Sequence, residues 1–330
     1  METDLDKCND DGQSPLIFAC SHGLTDIVRM LLEKDVDYNK FNNDGWSPVM
    51  FACDKGQTEI VKMLLDRGVD YNKCNNDGWS PVMFACDKGQ QKIVKMLLKK
   101  KTDIKQCNKL GWSPLMYACK GGHTKIVRML LDKGVDYNQC YKDGWSHVMF
   151  ACSNGHTAIL RMLLDKGASY VTCNETGESP VLCACKGGHT DIVKLLLHKG
   201  ADYDKCNNDG WSPLMDAINS GHIEIVRMLL DRGEDYNKYN NDGLLHLMFA
   251  CDKGHTEIVN MLLDRGVDCY TCNIDGFSPV VVACCGGHTD IVKLLIDRGV
   301  DYNKYNNDGW SPVMFACYIG HKEIVRLFLD

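Results

Sequence analysis

The 330-residue chain repeats itself every 33 residues without a slip. Glycine marks the period at Gly12, Gly45, Gly78, Gly111, Gly144, Gly177, Gly210, Gly243, Gly276 and Gly309, and a second set follows eleven residues behind, from Gly23 and Gly56 to Gly320. A fixed period of this size means one supersecondary unit stacked on copies of itself, each burying its apolar face against its neighbours. The length alone would suggest two or three globular domains. The period predicts instead a single array over 1–330, with units starting near 10, 43, 76, 109, 142, 175, 208, 241, 274 and 307. Residues 1–9 read as the tail of a preceding unit and the last unit is cut at 330, so the chain is expected to be part of something longer.

One unit can be read physically. Ser47-Pro48 is an N-cap followed by the first helical position, where proline has no N–H to waste, and all eight prolines of the chain stand at this point. Val49, Ala52 and Cys53 give an i, i+3, i+4 apolar stripe, and Gly56 stops the short helix. Thr58 and Glu59 open a second helix, with the acid near its positive end. Ile60, Val61, Leu64 and Leu65 form its buried stripe and Gly68 ends it. The remainder, from Val69 to Asp77, is too polar for a third helix, and Asp77-Gly78 signals a tight turn. The unit is helix, turn, helix, then an extended loop turning back.

These residues resemble the ankyrin repeat, whose pattern is D-G-x-T-P-L-H-x-A-A-x-x-G-H, then I-V-x-x-L-L, then G-A-D-x-N. Here the match reads Asp44-Gly45-Trp46-Ser47-Pro48, Ala52-Cys53, Gly56, Ile60-Val61, Leu64-Leu65 and Gly68-Val69-Asp70-Tyr71-Asn72, and it extends over essentially the whole chain. Ser for Thr, Met for His and Cys for the second Ala recur as departures. The resemblance implies an all-α solenoid of stacked helix-turn-helix units with β-hairpin-like finger loops, a curved stack of roughly 80–100 Å at about 8–10 Å per unit. It also implies protein partners held along the concave face and the fingers. Asparagines in its loops are similar to known hydroxylation substrates, and Asn39, Asn72, Asn138, Asn237 and Asn303 occupy the matching slot.

Composition narrows the partner class. A formal charge of −7 is mild, so nucleic acid is not an expected partner, no apolar run reaches the roughly 18 residues of a membrane span, and the start lacks a signal peptide. A cytoplasmic location is expected, with nuclear entry open. Sixteen of the nineteen cysteines obey the period. Nine follow the repeat's Ala, as Cys20, Cys53 and Cys317 do; seven sit in the connecting segment at Cys8, Cys74, Cys107, Cys140, Cys173, Cys206 and Cys272. Equivalent positions about 8–10 Å apart are too distant for disulfides, so these are expected to be free, buried thiols of a reducing compartment.

Candidate binding residues fall into three groups. All six tryptophans, Trp46, Trp79, Trp112, Trp145, Trp211 and Trp310, follow the turn glycine; Phe277 takes the same place and Gln13, Glu178 and Leu244 interrupt the row. Such a row either forms a binding surface or packs finger against finger. The residues before the inner-turn glycine vary on a uniform scaffold: Asp54, Lys55, Asp87, Lys88, Lys120, Asp252 and Lys253 are the charged ones singled out. They read as partner recognition or as unselected surface. The third unit is basic, with Lys88, Lys92, Lys95, Lys99, Lys100, Lys101, Lys105 and Lys109, which reads as a solvated face or an anion-binding one.

Chemistry is not expected. The histidines of the Gly-His slot, His123 to His321, are one repeat apart and cannot converge on a metal, and Cys269-x-x-Cys272 and Cys183-x-Cys185 lack a second pair. The breaks in the period (His147, Leu245, His246, Asp216, Ile218) are scattered over different units. No cofactor and no catalytic residue are assigned. Loss of the cap at Leu244-Leu245-His246 predicts a locally soft helix start. The expected role is a non-enzymatic protein-binding scaffold or adaptor, monomeric or within a larger chain. Two rivals are the recognition arm of a phosphatase or ubiquitin ligase and a membrane-cytoskeleton linker.

Overall fold

In a computed structural model of the chain, residues 4–138, 141, 143–233, 240, 241 and 245–329 are described. Asn237, Cys140, Gly243 and Leu244 lie outside them. The chain divides into two units, Met1–Ser169 and Tyr170–Asp330. In unit 1, helices α1 (Pro15–His22), α3 (Pro48–Asp54), α5 (Pro81–Asp87), α7 (Pro114–Lys120) and α9 (His147–Ser153) are the first helices of successive repeats. Their partners are α2 (Thr25–Leu32), α4 (Thr58–Arg67), α6 (Gln91–Lys99), α8 (Thr124–Asp132) and α10 (Thr157–Asp165). In unit 2 the first helices are α11 (Pro180–Lys186), α13 (Pro213–Asn219), α15 (His246–Asp252), α17 (Pro279–Gly286) and α19 (Pro312–Ile319). They pair with α12 (Thr190–His198), α14 (Ile223–Leu230), α16 (Thr256–Asp264), α18 (Thr289–Asp297) and α20 (Lys322–Leu329). Within each unit, first helices pack on first helices and second on second.

Local chemistry accounts for these elements. Ser113 Oγ accepts the Met116 N–H at 3.2 Å and Ser212 Oγ the Met215 N–H at 3.1 Å, satisfying donors that a helix start leaves open. Val49, Ala52, Cys53, Ile60, Val61 and Leu64 are wholly buried, so both predicted stripes form the core. Most second helices run into a glycine, as α4 does at Gly68 with φ +86°, while Asp35 stands in its place after α2. Where Lys101 replaces that glycine, α6 stops at Lys99 and the Thr102 hydroxyl donates to the Leu97 carbonyl at 2.7 Å. The equivalent carbonyl of α4, on Leu64, takes the Val69 N–H instead.

The expected β-hairpin-like fingers do not form: no β-strand occurs among the described residues. An asparagine found in every finger but one, where Tyr141 stands, explains why. Asn42 N–H donates to the Trp46 carbonyl at 3.0 Å, as a hairpin pair would. The return bond is missing because the Trp46 N–H goes to Asn42 Oδ1 at 2.7 Å, while the Asn42 carbonyl accepts the Gly45 N–H at 2.9 Å. The side chain thus takes the donor that a ladder needs, and the finger closes as an asparagine-locked turn. Asn75 repeats the arrangement around Trp79. Fingers then join edge to edge by a bond such as Asn76 N–H to the Asp44 carbonyl, 3.1 Å.

The glycine beat has a second cause besides conformation. Gly45 has φ +78°, and a Cβ there would lie 2.6 Å from Asn76 Oδ1 of the next finger. Gly89 of the inner turn, φ +66°, would put a Cβ 2.5 Å from the His123 ring. Each glycine is required by the repeat that stacks on it as well as by its own turn.

Candidate functional site

The tryptophan row is a continuous aromatic ladder in unit 1. Trp46, Trp79 and Trp112 each lean on the aromatic residue of their own first helix and on the equivalent one in the next repeat, and Trp145 on that of its own helix. Trp46 meets Phe51 and Phe84 at 4.8 and 4.3 Å between ring centroids. Trp79 meets Phe84 and Tyr117 at 4.8 and 4.3 Å. Trp112 meets Tyr117 and Phe150 at 5.0 and 4.6 Å, and Trp145 meets Phe150 at 5.2 Å. In unit 2, Trp211 meets Phe249 at 4.6 Å and Trp310 meets Phe315 at 5.2 Å, with Phe277 also against Phe315. All six indoles are half-buried, so the packed edges leave part of each ring open to solvent. The phenylalanines and Tyr117 that complete the ladder had no role in the sequence reading; only the stacking of repeats brings residue 46 to residue 84.

The charged rim runs beside the ladder. Asp54 carries Lys55 at 3.2 Å and Lys88 of the next repeat at 4.0 Å. Lys88 also holds Asp87 at 2.9 Å, and the hydrogen bond and charge of Asp87 keep its ammonium above the ordinary lysine value. Lys253 pairs with Asp252 at 2.8 Å. Lys120 takes a different partner, its Nζ standing 4.9 Å over the Trp112 ring. The lysines of these pairs are exposed, Asp54 and Asp87 half-buried, and pairs so open to water contribute little to stability.

Other periodic residues serve the scaffold. His123 Nε2 donates to the Asp87 carbonyl of the preceding repeat at 3.0 Å, and His156 and His288 reach Lys120 and Asp252 in the same way at 3.0 and 2.9 Å. Each thus closes the open end of the preceding first helix. The described cysteines of the Ala-Cys column are buried except Cys317, and burial pushes the Cys20 and Cys284 thiols up to about 12. The connecting-segment thiols, expected to be buried, are only half-buried at Cys8, Cys74, Cys107, Cys173, Cys206 and Cys272. They stand in the loops between repeats rather than in helices, and Sγ of Cys74 donates to the Asn72 carbonyl at 3.8 Å. Asn39 and Asn72 are half-buried, and their Oδ1 atoms accept the next repeat's Asp70 and Asp103 N–H at 2.8 and 2.9 Å. Asn138 and Asn303 are exposed. The eight lysines of the third repeat are all exposed as well.

A family model for ankyrin repeats matches residues 1–75, 41–108, 68–141, 83–172, 133–205, 148–240 and 247–330. The chain belongs to the ankyrin-repeat family. Comparison with curated proteins found no match. The ankyrin fold is non-catalytic and serves protein–protein interaction. Among the described residues of this ankyrin-repeat chain, no three His, Cys, Asp or Glu side chains converge as metal ligands, and no helix is long and apolar enough to cross a membrane.

Two ankyrin repeats put a histidine where the others have proline. His147 and His246 are wholly buried at the first turns of α9 and α15. Burial drives the His147 imidazole down to about 4. Asp216 stands at the aromatic position of α13, where burial pushes its carboxyl up to about 7.

Proposed function

We propose that this ankyrin-repeat array is a protein-binding scaffold whose partner lies along the aromatic ladder and the charged rim beside it. The observation that carries this is the state of Trp46, Trp79 and Trp112: each is fixed by ring contacts on two sides, yet half-open to solvent. A rigid amphipathic ring has little conformational entropy left to lose on binding, which suits it to anchor a partner. The rim supplies what an anchor row lacks. Its charges vary from repeat to repeat, from Asp54 and Lys55 to Lys120 and then Asp252 and Lys253, so partner register would be read there. Free thiols throughout the described residues fit a reducing compartment such as the cytoplasm.

The test is site-specific photo-crosslinking with the intact chain. A photo-reactive amino acid is placed at Lys55, Lys88 or Lys253 on the rim, and at Lys62, Lys125 or Lys293 on second helices. The scaffold reading expects one discrete adduct from the rim positions and none from the second helices. Equal labelling from both sets, or adducts from second helices alone, would overturn it.

A further inference from the structure

One step of the ladder in unit 2 has lost all three of its rings together. Glu178 stands where most other fingers carry tryptophan, Cys183 where the following helix carries Phe or Tyr, and Asp216 at that same place one repeat on. The equivalent residues of unit 1, Trp46, Phe51 and Phe84, touch through their rings. Lys186 joins the group, its Nζ 3.4 Å from Glu178 Oε1. Because their equivalents in unit 1 are in ring contact, Glu178, Cys183 and Asp216 fall side by side, with Lys186 held to them through Glu178.

The cluster is unevenly satisfied. Glu178 is complete: Asn174 Nδ2 donates to Oε2 at 3.0 Å and Lys186 takes Oε1. Asp216 is only 7% exposed, yet no donor among the described residues hydrogen-bonds its carboxylate. Lys186, the basic residue of the group, is already paired with Glu178. A buried carboxylate without a partner is costly, and the missing element is a positive charge with hydrogen-bond donors. Lys186 is 61% exposed, so its arm can move aside without breaking the packing. Trp211 occupies the finger position that, in the repeats of unit 1, faces the residue equivalent to Asp216, as Trp46 faces Phe51.

We infer that this step is a recognition notch for one arginine side chain of a protein partner, its guanidinium paired with Asp216 and its plane laid against Trp211. Arginine fits better than lysine because its flat fork matches a carboxylate with two donors and stacks on an indole. The inference rests on the reading that a partner lies along the ladder, and adds to it the chemistry of one contact.

The experiment uses the full chain and a positional-scanning library of fluorescein-labelled dodecapeptides, read by anisotropy. The selected peptides are remade with each arginine replaced by citrulline, which keeps the shape and removes the charge. On the wild type, one such replacement is expected to weaken binding at least ten-fold. On Asp216→Asn, which is isosteric and whose folding is checked by thermal melting, the same replacement is expected to change binding less than two-fold. Peptides selected without a basic position, or a citrulline penalty equal on wild type and D216N, would overturn the notch. Competition by spermidine or magnesium alone at the same concentrations would overturn the assignment to a protein side chain. Peptides that bind wild type and D216N alike and protect the rim from crosslinking would leave the scaffold reading standing while the notch falls. Failure of every peptide to bind would also sink the notch, and the rim crosslinks would then decide the scaffold reading separately.

Discussion

Unit 1 and unit 2 are built from the same repeat but treat its aromatic ladder in opposite ways. In unit 1 the rings of Trp46, Phe84, Trp79, Tyr117, Trp112, Phe150 and Trp145 follow one another at 4.3 to 5.2 Å. In unit 2 the ladder is interrupted at Glu178, Cys183 and Asp216, and Val282 takes the aromatic place of α17. First helices run 7–8 residues in both units, and α11 and α13 beside the interruption keep buried stripes like those of α5 and α7. The ladder is therefore an addition to the ankyrin core, and a repeat folds without it. What it adds is rigidity and an aromatic surface; what its interruption adds is a buried titratable carboxyl.

The largest effect should come from removing a rung where it is intact. Trp112→Ala deletes an indole packed against Tyr117, Phe150 and Tyr141, and is expected to destabilise the protein by about 3 kcal/mol, the lower end for a large aromatic because Trp112 is half-buried. Glu178→Ala, at the same position of the interrupted step, should cost under about 1 kcal/mol. Urea unfolding of both variants gives the comparison directly. Equal losses would mean that the ladder is no more than surface decoration.

Next in size are two pH dependences of opposite sign. Asp216 is raised to about 7 in the fold against about 4 in an unfolded chain, so the fold favours its protonated form. Its contribution is complete below about pH 4 and is lost as pH rises through 7, on the order of 2–4 kcal/mol in all. His147 is lowered to about 4 from 6.5, so the fold favours the neutral ring. That contribution is complete above about pH 6.5 and is lost as pH falls through 4, on the order of 2–3 kcal/mol. Asp216→Asn should remove a fall in stability between about pH 4 and pH 7, and His147→Pro, which restores the residue of the other repeats, a rise in stability between about pH 4 and pH 6.5. If either substitution changes the slope between about pH 4 and 7 in the opposite sense, the burial assigned to that residue is in error.

These contrasts also mark what could be read before any fold was known. Helix positions, Ser-Pro starts, buried stripes and glycine stops were all legible, because each is enforced within a few residues and then repeated. The finger was not. Its form turns on Asn42 and Asn75, whose side chains satisfy an N–H four residues away, and in a loop rich in asparagine nothing distinguishes that residue from its neighbours. The ladder was half legible: the tryptophans keep the period, but their partners Phe84 and Tyr117 look like ordinary members of an apolar helix. Asp216 was visible as a break in pattern. Its meeting with Glu178 and Lys186 depends on residues 30 and 38 positions away and is created by stacking alone.

The smallest effect concerns one helix start in unit 2. Leu245 replaces the capping serine before α15, and a lost cap should cost about 1 kcal/mol. Yet α15 begins in the same register as α13 and has the same length. Two features soften the loss. The Met248 N–H, which in the equivalent place of α13 is bound by Ser212 Oγ, donates instead to the Leu245 carbonyl at 3.0 Å. Leu245 itself is 2% exposed, so apolar burial offsets part of what the hydroxyl would contribute. The amide of Met248 is accordingly expected to exchange only about three- to ten-fold faster than that of Met215, a difference of about 1 kcal/mol or less. Exchange at equal rates would show that the buried leucine replaces the cap outright. A difference of a hundred-fold or more would show that α15 opens as a separate element, and the view that each repeat is held chiefly by its buried stripes would have to give way at this one.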